Sequence, residues 1–144
     1  MNASSKARNI LVANKVASTA SLFRKYFPDA IVNFSPWDSI NEKEWFDSID
    51  FSFHFPGWSP SIECRAILLQ LRIENNNDEG GVPRLLGIVM IGMIIPKERW
   101  RVATIGEWEM TGTHLPQKAQ KDNLFLVCKE LHKLFSTTSS SNKN

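Results

Sequence analysis

The run LLGIVMIGMII, residues 85 to 95, constrains this chain more than any other stretch. It is apolar at every position or glycine, so no polar side appears at a period of 2 or of 3.6. A strand of that kind belongs in the middle of a sheet, with both faces covered. Pro83 and Pro96 bracket it, which suits residues that cannot donate to a central ladder. The run is about half the length of a membrane-spanning helix, which needs about 20 apolar residues.

The flanking segments supply its neighbours. Ile49, Phe51, Phe53 and Phe55 alternate with Asp50, Ser52 and His54, the pattern of a half-buried strand. PGWSP, 56 to 60, turns the chain. Residues 61 to 74 then change parity: Ile62, Cys64, Ala66 and Leu68 are apolar at even positions, Ile67, Leu69, Leu71 and Ile73 at odd ones. A β-bulge near residues 66 to 69 would restore one face; otherwise the strand passes from one core to another. NNNDEGG, 75 to 81, reads as a hairpin tip. Residues 99 to 110 place Trp100, Val102, Thr104, Trp108 and Met110 on one side, and Arg99, Arg101, Glu107 and Glu109 on the other.

Helices are expected at both ends. Val12, Val16, Thr19, Phe23 and Tyr26 share one face of a helix over residues 7 to 27, which Pro28 ends. A competing reading makes NILVAN a strand. Leu124, Val127, Cys128, Leu131, Leu134 and Phe135 form the wide apolar face of a second helix at 117 to 135, with Pro116 at its start. Between them, AIVNF reads as a short strand. A short helix is expected from Ser39, capped by Asp38 or Ser39 and anchored by Trp45 and Phe46. The resulting fold class is α+β: an N-terminal helix, a four-stranded antiparallel meander, and a C-terminal helix packed on the sheet. Residues 7 to 136 form one domain, with residues 1 to 6 and 137 to 144 as disordered polar tails.

Charge is divided unevenly. Residues 1 to 28 carry five basic groups and no acid, while the remaining 116 carry 12 basic and 15 acidic groups, a net of −3. An acid-free basic start has the composition of an organelle transit peptide, but LFRKYFP at its end reads as core, favouring an ordinary first helix. Cys64 and Cys128 lie inside apolar segments, where free cysteine behaves as a small hydrophobe. Two cysteines in a chain of this size are not a disulfide framework. The expected compartment is therefore the cytoplasm.

No motif specifies a reaction, a metal or a cofactor. Cys128 and His132 sit one helical turn apart, but a structural zinc site takes four ligands. Cys64 and His54 are not required to touch by their positions in the hairpin. Glu107 and Glu109, with Glu63, read as solvated charges paired with Arg65, Arg99 and Arg101. There is no glycine-rich phosphate loop.

Binding remains. Trp37 and Trp58 stand beside prolines in loops, where full burial is difficult, and tryptophan and arginine are the usual interface anchors. Trp37, His54, Trp58 and Arg65 are therefore expected to form a contact patch of a non-catalytic protein-binding module, an adaptor or assembly factor. Two alternatives are a binder of single-stranded nucleic acid, with Trp100 and Trp108 stacking bases beside Arg99 and Arg101, and a small enzyme centred on His54 with Glu63 or Glu107.

Overall fold

The computed structural model describes residues 1–38, 47–74 and 81–136. The expected helix from Ser39 and the tips at 75–80 and 137–144 lie outside the described residues. Helix α1 (Ala3–Lys6) is followed by α2 (Ile10–Tyr26) and strands β1 (Ile31–Asn33), β2 (Ser48–Ser59), β3 (Cys64–Glu74), β4 (Arg84–Ile94), β5 (Lys97–Ala103) and β6 (Glu109–Gly112), and the chain ends in α3 (Lys118–Ser136). The architecture is α+β, with one antiparallel sheet in the order β1-β2-β3-β4-β5-β6.

The sheet thus has six strands rather than the expected four. AIVNF contributes β1 at one edge. At the other edge, residues 99 to 110 are two strands, not one. Gly106 adopts φ 77, a left-handed conformation open to glycine, and reverses the chain between β5 and β6. The apolar alternation continues through this turn and conceals it.

NILVAN is helical. The Asn9 side chain accepts from Val12 N at 2.9 Å and caps α2. Val12, Val16, Thr19, Ala20 and Phe23 are its buried positions, and Leu124, Val127, Cys128, Leu131 and Phe135 are those of α3. Both helices contribute to one apolar core. Three rows cross the sheet beneath them: Phe53–Ile67–Gly92–Trp100, Phe51–Leu69–Met90–Val102 and Ile49–Leu71–Ile88. Phe23 of α2 stacks on Phe53 with ring centroids 3.8 Å apart. Each large apolar side chain buried in this way contributes about 1.5–3 kcal/mol.

Trp100 is fully buried, and its indole N–H donates to Ile62 O at 2.8 Å. Its ring lies over Gly92 of the adjacent strand, where a Cβ would stand 2.1 Å from the ring. The glycine in the central run is therefore the floor on which the tryptophan rests.

No bulge occurs at residues 66–69. The β3–β4 register is continuous from Ala66↔Met93 to Arg72↔Gly87. The parity change in β3 is met instead on β2, where residues 55–58 form an excursion between the His54↔Ala66 and Ser59↔Cys64 pairs. Ile67, Leu69, Leu71 and Ile73 of β3 face the helices, while Ala66 and Leu68 face the other side. Among the described residues no helix lies over that other side, yet Ala66, Val89 and Ile91 are buried there, so the centre of β4 is buried on both faces as expected.

Residues 1–6, expected as a disordered tail, pack against the fold. Asn2 forms a parallel bridge with Asp50, and Asn2 and Ala3 are both buried.

Candidate functional site

The face of the sheet opposite the helices carries a groove of about 480 Å³. Ala66, Leu68, Ile91 and Met93 line it from β3 and β4, Pro36 and Trp37 from the segment after β1, and Ile95 and Pro96 from the β4–β5 turn. Its polar members include Ser52 and His54 of β2.

Trp37 is held on three sides. Its backbone N–H donates to the Asn2 side-chain oxygen at 2.9 Å, and the Asn2 amide donates back to Trp37 O at 2.8 Å. The indole N–H donates to Asp50 Oδ2 at 2.7 Å. The same carboxylate oxygen receives the Met1 ammonium at 3.2 Å. Asp50 is only 2% exposed, so these bonds compensate much of the cost of burying its charge. Trp37 as a whole is half-buried and lines the groove.

His54 Nε2 lies 3.0 Å from Ser52 Oγ. Asp50, Ser52 and His54 alternate along β2 and so project on the same face. Asp50 is nevertheless committed to Trp37 and Met1, not to the imidazole. Ser52 and His54 make a hydroxyl–imidazole contact of the kind that activates a nucleophile, at the edge of an apolar surface. Glu98 also lines the groove, but Arg101 donates to both of its oxygens, at 3.0 and 3.1 Å. Those hydrogen bonds hold the Glu98 carboxyl below the ordinary range.

The four residues expected to form one patch divide into separate places. Trp37 and His54 meet in the groove. Trp58 lines a second pocket of about 280 Å³, together with Phe27, Phe55, Ser61 and Gln120. Arg65 is exposed near the start of β3, opposite the β2 excursion. The arginine beside Trp58 is Arg99, whose guanidinium carbon is 5.3 Å from the ring centroid. Arg99 also binds Glu63, donating to its carboxylate at 2.7 Å and its backbone carbonyl at 3.2 Å. Sequence parity places Arg99 with Arg101. The structure separates them because Glu98 pairs with Met93 and Trp100 with Gly92, which leaves Arg99 as the extra residue of a β-bulge. Two features mark this end of β5 in sequence: the arginine beside Trp100 and the glycine in the facing run. Neither reveals the bulge.

The other chemical pairings weighed from sequence are not assembled. Cys64 is fully buried beside Trp100, and burial pushes its thiol up to about 12 against smaller opposing pulls from hydrogen bonds at Met93 and Ala66. Burial likewise raises the Cys128 thiol to about 12. Both cysteines are free. His132 turns to Thr104, with Nε2 2.9 Å from Oγ1, and that hydroxyl oxygen accepts from Ile88 N at 2.9 Å. Burial lowers the His132 pKa. No group of three metal-ligating side chains occurs among the described residues. Glu63 is bound to Arg99, and Glu107 is exposed, so neither stands with His54. Trp100 is buried, and Trp108 stacks on Phe125 and lies against His132 on the helix side. The open face therefore presents neither tryptophan for stacking a base.

The fold is that of an α+β protein with an antiparallel sheet and helices at both ends of the chain. Residues 4–137 match a family described as a domain of unknown function, and the chain belongs to that family. No curated protein and no solved structure matches it. No helix among the described residues is long and apolar enough to cross a membrane.

Proposed function

We propose that this chain is a non-catalytic protein-binding module, an adaptor or assembly factor, whose open-face groove receives an extended apolar segment of a partner protein. The observation that carries this reading is Trp37. A tryptophan left partly exposed, with its N–H and backbone both tied down, loses little freedom on binding, as an interface anchor requires. The surface between it and the Ile95–Pro96 turn is a row of aliphatic side chains. Its charged member is already paired, so recognition rests on shape and apolar contact. The free, buried thiols support a reducing compartment, taken as the cytoplasm.

The test uses the chain as bait, with partners identified by mass spectrometry and then purified. Trp37→Ala and Met93→Asp should each weaken a true partner at least tenfold, about 1.4 kcal/mol, while Trp58→Ala leaves it unchanged. A partner that binds all three variants equally would remove the groove as the docking surface.

A second reading, a small enzyme centred on His54, keeps the Ser52–His54 contact in its favour. Covalent labelling by a fluorophosphonate that is lost in both Ser52→Ala and His54→Gln would establish a reactive serine and displace the binding module.

A further inference from the structure

We propose that the outer cleft between α2 and α3 is a docking site for an acidic amphipathic helix of a second protein. This site lies in the helical layer, away from the open-face groove, and does not depend on that groove's function.

The cleft measures about 590 Å³. Ser18 and Leu22 of α2 form one wall, four residues apart and so one above the other. Leu126, Lys129, Glu130, Lys133 and Leu134 of α3 form the other. Their spacing of i, i+3, i+4, i+7 and i+8 is a continuous helical stripe, distinct from the buried face. Leu126 is 42% exposed, a large apolar side chain without cover. Two helices side by side with leucines in the cleft between them offer a third helix the grooves into which its ridges pack.

Charge decides the character of that helix. α2 carries Lys15, Arg24 and Lys25 with no acid, a net of +3; α3 carries four lysines against Asp122 and Glu130, a net of +2. Their sum of +5, set against +2 for the whole chain, leaves −3 for everything else. Within the cleft the acid is already occupied. Glu130 accepts from the Tyr26 hydroxyl and lies 3.8 Å from Lys25 Nζ. Lys15 is turned inward, donating to Leu134 O at 2.8 Å. Lys129 and Lys133 are exposed and form no ion pair among the described residues. They flank the leucines as free cations, which a helix with leucines on one face and glutamates beside them would complement. A lipid surface is less well matched, because the leucines line a cleft rather than form a projecting ridge.

The probe is a fluorescein-labelled peptide of about 18 residues, about five turns, with leucines at i, i+3, i+4 and i+7 flanked by glutamates. Its control has the same composition scrambled. Fluorescence anisotropy with the full chain should give saturable binding to the helical peptide alone. Lys129→Glu with Lys133→Glu should weaken it at least tenfold, and so should Leu126→Asp; circular dichroism checks that these surface variants remain folded. Met93→Asp in the open-face groove should have no effect, which separates this site from the other. The proposal is overturned if the peptide fails to bind, if the scrambled control binds equally, or if the cleft variants bind normally. It is also overturned if phosphatidylserine vesicles, and not the peptide, depend on the same lysines and leucine.

Discussion

The two faces of the sheet differ in what completes them. Beneath the helices, neighbouring strands contribute Phe53, Ile67, Gly92 and Trp100 in one row, and Phe23 closes over it. On the other face, His54, Ala66, Met93 and Glu98 form the corresponding row, with Trp37 at its side and, among the described residues, no helix above it. The strands are the same, so the difference lies in the side chains at alternate positions and in where the helices dock. One face is closed by the two helices; the other is buried at Ala66, Val89 and Ile91 and leaves a groove along Leu68, Met93 and Ile95.

The largest expected contrast tests that division directly. Trp100→Ala should destabilise the fold by about 3–5 kcal/mol, the range for deleting a fully buried aromatic. Leu68→Ala on the open face should cost about 1 kcal/mol, because part of its surface is already in water. Urea denaturation measures both, and equal losses would mean that the two faces are equally consolidated.

Gly92→Ala sharpens the same comparison without deleting anything. The added methyl meets the Trp100 ring, and overpacking of that kind costs about 1–3 kcal/mol. Gly57, whose Cβ would meet nothing within 4 Å, is the control, with a change within about 0.5 kcal/mol.

A smaller effect is expected at Glu63, at the end of the sheet where Arg99 reaches Trp58. Its φ of 59 is left-handed, which costs a non-glycine residue about 1 kcal/mol. Its ion pair with Arg99 contributes at most about 1 kcal/mol. Glu63→Gly relieves the first while losing the second and should be nearly neutral. Glu63→Ala loses the pair and keeps the strain, so it should be the less stable of the two by thermal melting.

The smallest effect near neutral pH is the slope set by His132 on the helix-covered face. His132 has its pKa lowered by burial, so the unfolded chain takes up a proton that the folded one resists. Stability should therefore fall as pH drops below about 6.5, the ordinary histidine value. The two thiols act at the other end. Folded values near 12 lie above the ordinary 9, so their contribution is complete below pH 9 and is lost between 9 and 12. Denaturant midpoints across pH should be less steep at the acid end in His132→Gln, and native thiols should resist alkylation at pH 8 until urea is added.

Much of the covered face was legible from sequence because it is periodic. Val12, Val16 and Phe23 mark α2, the Leu124–Phe135 face marks α3, and Phe51 and Phe53 mark β2. The edge strands were harder to read. β1 is three residues long, and the β5–β6 turn interrupts a pattern that continues through it. The candidate site was legible only in fragments. Trp37 and His54 were singled out for their chemistry, but their meeting depends on β1 pairing with β2 and on Asn2 fastening the segment that follows. Those contacts span 35 residues between Asn2 and Trp37 and leave no periodic trace. Arg99 was misplaced because parity assumes a regular ladder, and a single extra residue reverses it.

That extra residue also makes β5 editable. Removing Arg99 outright would join Glu98 and Trp100 as direct neighbours opposite Met93 and Gly92, a regular antiparallel ladder with Trp100 still facing inward. A one-codon deletion at this position would therefore keep the strand in register, at the loss of the Arg99 carbonyl that accepts from Thr113 N and His114 N at 3.0 and 3.1 Å. It would take the guanidinium from Trp58 and Glu63 and leave the alternation on either side unchanged. Sequences aligned across this point would differ by a gap in the middle of a strand while sharing the same core.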